Sequence, residues 1–461
     1  MPWNADAFAR AARERKPVLL SITASWCRAC HEMDRTTYAS PPVVALVQEA
    51  FVPVRVDTDR RPDINERYNL GGWPTTAFLT ASGDLLGGGT FVTAEQMPSI
   101  LQRVIDAVRT RGGEIEQAQG AEQSPSTGLA IGDAPSLETL IEVTFSTFDE
   151  EHGGFGVAPK FPLTAPLHLA LALHADHEDS WPRHIVERTL DAMHAGGLYD
   201  RVNGGFYRYA TTREWQLPHV EKLLDTNAAL LRVYAEAARS FGDDEYRRVT
   251  SDLAAYIRHA LAGASRGYRG SESDPVVYSD SSAAASAALL VASRTLEDDD
   301  LAREAIEQLE RVLLASYRPG RGIAHYDDGS LRVPGLLADY VAMIHAILDA
   351  HEAAESEPYT MMAEELAHFV VNSFWDEASG ACDDRAHETG EIGLLRDRRT
   401  PFVANCDAIR AFARVARLST DGEFRRRAEA AARAMARLAA GHGPLAAHYV
   451  LAIRELAVPD E

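Results

Sequence analysis

Two cysteines, Cys27 and Cys30, stand three positions apart in the stretch TASWCRACHEMD, after an apolar run and before a helical pattern. A Cys-x-x-Cys pair in a reducing compartment is typically catalytic or metal-binding rather than structural. Because the helical pattern begins at Cys27, the helix dipole and the free N–H groups of the first turn favour a thiolate there. We predict that Cys27 is a nucleophile, at least partly exposed, and that Cys30 is a more buried resolving thiol.

The neighbours of the pair are consistent with a redox site. Trp26 precedes the first cysteine, and the positive charge of Arg28 favours its thiolate. His31 would do the same if protonated, although a histidine that simply faces solvent is the alternative. Zinc binding is the other chemistry of Cys-x-x-Cys, but the sequence contains no second such motif or histidine pair to complete four ligands. We expect no metal and no cofactor, and we interpret Cys382 and Cys406 as ordinary core or loop residues.

The first 110 residues show the pattern strand, helix, strand, helix, strand, strand, helix, in which the cysteines open the first core helix. This order resembles thioredoxin-like proteins. In that family the proline at the position of Pro74, within GGWPTT, is a cis-proline beside the disulfide, and Trp73 and Thr75 flank it here. Only X-Pro bonds adopt the cis form at low cost. The resemblance implies a cis Trp73–Pro74 bond close to the cysteine pair.

Length and composition limit the possible functions. The chain has 461 residues, more than one hydrophobic core usually serves, so two domains are expected. It carries 68 acidic and 46 basic residues, a net charge of −22, which argues against nucleic acid or an anionic membrane as a partner. It has no apolar stretch of about 18 residues and no apolar signal-peptide core at its start. We expect a soluble, cytoplasmic protein.

The rest of the chain predicts a helical barrel. Residues 111–135 are rich in Gly, Ser, Pro, Gln and Glu, which indicates a linker between domains 1–110 and 136–461. Beyond it, about twelve segments have apolar periodicity near 3.6, which predicts six helical hairpins. Short joins such as GDD alternate with long ones such as GGFGVAPKFP, so the long loops should gather at one end of an (α/α)6 barrel. An open α-solenoid is the alternative, but the hairpin lengths vary too much for its fixed period.

Three segments then point to a known family: GGFGVAPKFP (153–162), GGLYDRVNGGFYRYATTREWQLPHVEKLLDTNAALL (196–231) and LLADYVAMIHAILDAHEA. Together with WCRACHEM and GGWPTTAFL, they resemble the spermatogenesis-associated thioredoxin-domain family. The resemblance implies a multi-domain chain. An α/β thioredoxin-like domain would precede an all-α (α/α)6 six-hairpin glycosidase-like barrel, which is related in fold to sugar epimerases.

Ten residues in these segments are candidates for a pocket at the barrel mouth. Only three lysines occur in the chain, so Lys160 and Lys222 in the matched motifs indicate a required compact ammonium, with chance as the alternative. His219 and Glu221 begin a predicted helix. They could take part in acid–base catalysis, or Glu221 could simply reflect the preference of a helix start for acidic residues. Aromatics beside carboxylates suit sugar recognition and equally suit loop packing. The residues expected to converge are Lys160, Asp200, Arg208, Trp215, His219, Glu221, Lys222, Asn227, Asp339 and Tyr340.

The sequence leaves three functions open. The first is a thiol-disulfide oxidoreductase whose barrel binds a thiol or disulfide protein partner or a small polar ligand. The second is a carbohydrate-active barrel, of epimerase or glycosidase type, with a regulatory redox domain. The third is a non-catalytic binding scaffold. Hydrolysis would need two carboxylates at a characteristic separation, which a sequence does not supply.

Overall fold

The computed structural model describes residues 1–118, 134–177, 180–263, 267–328, 332–386 and 390–459. The chain divides into two compact units, Met1–Gly128 with His387–Arg398, and Leu129–Ala386 with Arg399–Glu461. Residues 390–398 are predicted to belong to the helical part, whereas the structure groups them with the first unit. Most of the predicted linker, residues 119–133, lies outside the described residues. Among the described helices, none is long and apolar enough to cross a membrane.

The first unit is a four-stranded sheet with helices on both faces. Its sheet has the strand order β2-β1-β3-β4, in which β1 is parallel to β2 and β3 is antiparallel to both of its neighbours. The elements are α1 (Ala5–Glu14), β1 (Val18–Thr23), α2 (Arg28–Thr36), α3 (Pro41–Ala50), β2 (Val52–Asp57), α4 (Pro62–Tyr68), β3 (Thr75–Leu79), β4 (Leu85–Gly89) and α5 (Met97–Ala118). The predicted α/β thioredoxin-like fold is confirmed.

The central strand explains why this sheet needs cover on both sides. All six residues of β1, VLLSIT, are buried. Val18, Leu20 and Ile22 face a core that includes residues of α1 and α4, while Leu19 faces one built with α2, α3 and α5. A strand buried on both faces reads as a continuous apolar run rather than an alternating one, as this one does.

The second unit contains twelve α-helices in its described part, as the periodicity predicts. Small hairpins, which the sequence analysis does not predict, stand in two of the long connections. The elements are α6 (Leu137–Phe145), α7 (Ala165–His177), α8 (Ser180–Ala195), α9 (Leu224–Phe241), α10 (Asp244–Ala260), α11 (Ser279–Leu296), α12 (Asp299–Ser316), β5 (Tyr317–Arg318), β6 (Gly322–Asp327), β7 (Arg332–Pro334), α13 (Leu337–Ala354), α14 (Glu357–Phe374), β8 (Trp375–Asp376), β9 (Ala381–Cys382), α15 (Phe402–Ala416), α16 (Glu423–Ala436) and α17 (Ala446–Leu456).

Alternate helices of this unit form a closed inner ring. Helices α7, α9, α11, α13, α15 and α17 pack as successive neighbours, and α17 packs back against α7. The other six helices pack outside them, each against an inner helix. Ring closure distinguishes this unit from an open solenoid and confirms the predicted (α/α)6 barrel. Each long connection leads from an outer helix into an inner one, so the long loops lie at the amino-terminal ends of the inner helices.

One helix begins later than predicted. The fourth helix of the second part is predicted from residue 218, which would place His219 and Glu221 in its first turn. The structure begins α9 at Leu224. The preceding residues are extended because they pair with other loops: Pro218 bridges to Ala210, and Leu223 bridges to Ser271.

Candidate functional site

The predicted redox cysteines form a disulfide at the start of α2. Their sulfur atoms lie 2.16 Å apart and their Cα atoms 5.2 Å apart. Cys27 is the N-cap residue of α2, and its sulfur accepts a hydrogen bond from the backbone N–H of Cys30 at 3.0 Å. In the reduced state the same N–H group and the dipole of α2 would stabilise a thiolate on Cys27. The arrangement therefore fits a nucleophile at Cys27 and a resolving thiol at Cys30.

Cys27 is more covered than predicted, whereas Cys30 is buried as expected. Cys27 is 5% exposed and Cys30 is 1% exposed, so the order of exposure agrees with the prediction. The N-cap position turns the Cys27 sulfur over the first turn of α2, and Trp26 beside it is itself buried. Arg28 and His31 are exposed on that same turn. Polar, accessible residues thus border a nearly covered sulfur.

A pair of tryptophans joins the cysteine loop to the proline loop. The rings of Trp26 and Trp73 meet edge to face, with centroids 5.4 Å apart. Trp26 donates from Nε1 to Asp59 at 2.7 Å, and Trp73 donates from Nε1 to Asn65 at 3.0 Å. Because each indole is held by a carboxylate or an amide, both ring planes are fixed. This contact brings the residue before Pro74 next to the residue before Cys27.

The proline loop has the predicted geometry. The Trp73–Pro74 peptide bond is cis, which confirms that expectation. Thr75 is fully buried, donates its hydroxyl proton to the carbonyl of Gly72 at 2.7 Å and accepts from the N–H of Leu70 at 3.2 Å. In the sheet register Thr75 pairs with Ile22 of β1. The proline therefore lies at the same edge of the sheet as the cysteine loop that follows β1.

In the helical unit, Lys160 holds a buried carboxylate. Its side chain is fully buried, and Nζ donates to Oδ2 of Asp149 at 2.7 Å and to the carbonyl of Arg213 at 3.1 Å. The ammonium also lies 5.2 Å from the ring centroid of Trp215, whose Nε1 donates to the carbonyl of His152 at 2.9 Å. Burial alone would raise the pKa of Asp149, but Arg213 and Lys160 hold it well below its usual range. These contacts secure two long loops to each other.

Lys222 also binds a buried aspartate, in the connection between α8 and α9. Its Nζ donates to Oδ2 of Asp200 and to the carbonyl of Gly204, both at 3.0 Å. Glu272 lies 3.1 Å from the same ammonium, which stands 4.7 Å from the ring centroid of Tyr256. Burial would raise the pKa of Asp200, but backbone N–H groups and Lys222 hold it well below its usual range. A compact ammonium suits both sites, because each requires one point donor between a carboxylate and a carbonyl.

These two lysines act on repeated turns, DEEHGGF (149–155) and DRVNGGF (200–206). In each turn the aspartate accepts from the N–H groups two and three residues later, at 3.0 to 3.1 Å. The second glycines, Gly154 and Gly205, have φ of 74° and 80°, and a Cβ would lie 2.4 Å from Trp215 or 2.6 Å from Tyr256. Asp149 was missed by the sequence analysis, and the repeated D-x-x-x-G-G-F spacing is the signal that could have found it.

Asn227 and Tyr340 attach loop hairpins to the inner helices. Asn227, fully buried in α9, accepts from the N–H of Phe206 at 2.7 Å and donates to its carbonyl at 3.0 Å. The hydroxyl of Tyr340, in the equivalent turn of α13, accepts from the N–H of Ile323 at 2.9 Å. Asn405 in α15 clamps Cys382 as Asn227 clamps Phe206. These side chains are occupied by backbone and position the loops.

Asp339 joins two inner helices and a hairpin. Its carboxylate accepts from Nδ1 of His325 at 2.9 Å, from the N–H of Asp280 at 3.2 Å and from the N–H of Leu336 at 2.8 Å. Potential ligand atoms of Asp280, His325 and Asp339 lie within 4.8 Å of one another, a spacing that a cation could use. Burial and the Asp339 charge raise the pKa of Asp280. Since Asp339 already caps α13 and holds His325, the arrangement serves the loop as it stands.

The remaining predicted residues lie in the extended segment before α9. Arg208 donates its backbone N–H to the carbonyl of Glu221 at 2.9 Å, and His219 does the same to Tyr209 at 2.9 Å. The rings of Tyr209 and His219 stack with centroids 5.1 Å apart. Burial and the charge of Arg208 lower the pKa of His219, so its ring is neutral at pH 7.

A separate cavity lies inside the ring of inner helices. Its volume is about 720 Å³, within the range of small-molecule sites, and all six inner helices contribute to its lining. Alanines of α7, α9, α11 and α13 supply much of the wall, which leaves the space open. None of the ten residues predicted for the pocket lines this cavity. Asp225, which follows the Lys222 loop, does line it, and surrounding protein and the Asp280 charge raise its pKa.

Charged groups of α9, α13 and α15 form a network along this cavity. Arg232 donates to Glu236 at 3.0 Å and to Asp349 at 3.1 Å. Arg414 donates to the other oxygen of Asp349 at 2.7 Å. Glu236 also accepts from Nδ1 of His168 at 2.7 Å. Burial would raise the pKa values of Glu236 and Asp349, but the adjacent cations hold both low, so the carboxylates are ionised at pH 7.

His345 stands in this network as a neutral ring. Burial and the charges of Arg414 and Arg410 lower its pKa to about 4. Nε2 lies 3.1 Å from the carbonyl of Asp407, which can only accept, and Nδ1 lies 3.2 Å from the guanidinium of Arg414, which can only donate. The proton therefore resides on Nε2. The carboxylate of Asp407 lies 3.4 Å from Nδ1 of His448.

Comparison with known proteins supports both halves of the fold. Residues 1–124 match a family model described as a protein of unknown function, DUF255. Spermatogenesis-associated protein 20 of Rattus norvegicus is 31% identical over 299 residues, covering 59% of this chain and 38% of that protein. The chain thus spans about two fifths of the length of the curated relatives it matches. The resemblance to the spermatogenesis-associated thioredoxin-domain family is confirmed.

More distant matches resemble only one of the two domains each. The thiol:disulfide interchange protein DsbD of Pectobacterium atrosepticum is 28% identical over 108 residues, covering 22% of this chain and 18% of that protein. A D-mannose isomerase superposes with a TM-score of 0.55 at 13% identity, covering 65% of this chain and 84% of that one. Cellobiose 2-epimerase from Bacillus thermoamylovorans gives 0.54 at 12% identity, covering 64% and 84%. At such identities the two structures establish the barrel fold and nothing more.

Proposed function

We propose that the chain is a thiol-disulfide oxidoreductase that uses Cys27 and Cys30. The observation that carries the proposal is the disulfide at the start of α2, where the Cys30 N–H and the helix dipole favour a Cys27 thiolate. The likeness of part of the first unit to a thiol:disulfide interchange protein supports it. A cytoplasmic location stays a prediction from the sequence.

In the proposed reaction, the reduced Cys27 and Cys30 pair exchanges its two thiols for the disulfide of a partner protein. The Cys27 thiolate attacks one sulfur of a partner disulfide, which forms a mixed disulfide and releases the other partner sulfur as a thiolate. Deprotonated Cys30 then attacks the Cys27 sulfur, which restores the Cys27–Cys30 disulfide and frees the second partner thiol. The partner gains two electrons and two protons, and the cysteine pair loses them. The reverse sequence oxidises a partner dithiol.

The test is disulfide exchange with insulin as a model protein substrate. Wild-type protein should reduce insulin in the presence of dithiothreitol faster than dithiothreitol alone, and Cys27→Ser should abolish the difference. After removal of dithiothreitol, reduced Cys30→Ser should accumulate a mixed disulfide between Cys27 and insulin that mass spectrometry detects. Cys406→Ala is the control, because burial raises the pKa of that thiol far above neutral. Equal rates for wild type and Cys27→Ser would contradict the proposal.

The barrel cavity favours a second, compatible function, the binding of a small polar ligand such as a sugar. An alanine-lined space of about 720 Å³ beside ordered carboxylates, guanidinium groups and neutral His345 suits a molecule with several hydroxyls. Calorimetry with glucose, mannose and cellobiose tests this directly. Ala284→Phe should fill the cavity and remove binding, whereas Ala353→Phe, exposed at the end of α13, should not. No heat with any sugar at millimolar concentration would contradict a sugar site.

A further inference from the structure

Most charged groups around the barrel cavity already have protein partners. Arg232 is shared by two carboxylates, and Arg414 also binds two, Asp349 and Glu352. Glu236 is shared by Arg232 and His168. Such groups position one another, because removing Arg232 or Arg414 would leave the buried carboxylate of Asp349 with less compensating charge. They are therefore poorly suited to exchange their partners for a ligand.

Arg410 differs from Arg232 and Arg414, the paired arginines of this wall. It lines the cavity, and its buried Nε has no hydrogen-bond acceptor. In the part of the chain that the structure describes, no carboxylate forms an ion pair with its guanidinium. Asp407, one turn earlier on α15, lies instead 3.4 Å from His448. Arg410 thus contributes to the cavity wall a guanidinium with an unsatisfied N–H donor, and a buried donor without an acceptor calls for an explanation.

A second observation shows that this charge acts across the cavity wall. Arg410 lowers the pKa of His345, which stands on a different helix, α13. Both residues line the cavity, so the charge of Arg410 lies beside the space that a ligand would occupy.

The missing partner should be a planar acceptor with one negative charge. A guanidinium binds a carboxylate through two parallel N–H···O bonds, which would include the buried Nε–H. A dianionic phosphate could use the same fork, but Asp407 and Asp225 line the same cavity and would repel a second charge more strongly. The alanine-rich wall leaves room for the rest of a small molecule.

We infer that the barrel cavity binds a small hydroxyl-bearing carboxylate whose acid group is held by Arg410. This inference rests on the cavity being the ligand site proposed above, and it is independent of the chemistry at Cys27. It names the class of ligand, a hydroxy acid or sugar acid, that the fold alone does not indicate.

Calorimetry on the full chain with three matched probes tests the inference at pH 7.5. Glucose, glucuronate and glucose 6-phosphate differ only at the sixth carbon. That carbon is part of a hydroxymethyl group in glucose, a carboxylate in glucuronate and a phosphate ester in glucose 6-phosphate. We expect glucuronate to bind at least tenfold more tightly than either of the others. Arg410→Gln should weaken glucuronate binding about 10- to 100-fold and leave glucose unchanged, because only the charge-assisted bonds are lost. Arg437→Gln, at the exposed C-cap residue of α16, is the control of equal charge.

Each other result counts against the inference in a distinct way. Glucose binding as tightly as glucuronate would overturn it while leaving the sugar site intact. Tighter binding of the phosphate would refute the preference for one charge. Absence of binding by all three would remove both this inference and the proposed cavity function. If Arg410→Gln fails to fold, Arg410→Lys keeps the charge without the fork, and unchanged glucuronate affinity in that variant would also refute the bidentate contact.

Discussion

Leu395 reaches the core of the first unit from far along the sequence. Its side chain is 4% exposed and belongs to the same apolar cluster as Ile64 and Tyr68. Neighbouring bonds hold it there, since Arg67 donates to the carbonyl of Leu394 at 2.9 Å and Tyr68 accepts from its N–H at 2.7 Å. Leu395→Ala removes three buried carbons and leaves a cavity, which should lower the free energy of unfolding of this unit by about 2–5 kcal/mol.

Hydrogen exchange read by mass spectrometry can follow this unit separately from the barrel. Peptides that cover β1 report global opening of the sheet, because that strand is central and buried. A loss of about 2–5 kcal/mol corresponds to exchange that is roughly 30-fold to more than 1,000-fold faster. Leu418→Ala, at a residue 51% exposed in the second unit, is the matched control. Unchanged β1 exchange in Leu395→Ala would show that residues 390–398 are not part of this cooperative core.

Three other predictions concern the helical unit. Because the pKa of His345 falls to about 4 on folding from about 6.5, its neutral ring contributes stability at pH 7 that is lost as pH falls from 6.5 to 4, at most about 3 kcal/mol. His345→Gln should therefore flatten the plot of unfolding free energy against pH over that interval. Lys160→Met should lower the free energy of unfolding of the unit by about 3 kcal/mol in urea titration, because Asp149 would be left with less compensating charge. Lys16→Met, at a more exposed ion pair, is the control and should have little effect. Combining Lys160→Met with Asp149→Asn should recover part of the loss. Asn227→Leu should cost about 2–3 kcal/mol by leaving a backbone N–H and carbonyl unsatisfied, and an unchanged urea midpoint would contradict the clamp.

The fold was largely predictable because its signals are local. A Cys-x-x-Cys at a helix start, followed by Trp-Pro before a strand, requires only short-range pattern recognition, and the cis bond at Pro74 agrees with it. The helices follow from periodicity. The contribution of Leu395 to the first unit was not predictable in this way, since the contact between Arg67 and Leu394 joins residues 327 positions apart.

The candidate pocket was less predictable, because the type of a residue does not show which groups its side chain contacts in the fold. The scarcity of lysine draws attention to Lys160 and Lys222, but each ammonium already binds an aspartate and a carbonyl of a loop. The cavity lies deeper, where Asp407, Arg410 and Arg414 repeat at spacings of three and four on one face of α15. Charges on the same face as core alanines are the signal that could have revealed it.

Residues 390–398 also affect the order in which the protein can mature on the ribosome. Domains generally fold in the order of synthesis, at about 5–20 residues per second. Here the hydrogen bond between Tyr68 and Leu394 joins residues 326 positions apart. Synthesis of the intervening chain takes roughly 16–65 seconds at those rates, and the core around Tyr68 is incomplete until then. During that time the nascent first unit exposes an apolar gap, the kind of surface that chaperones bind. The unit that is synthesised first is therefore not the first that can be completed.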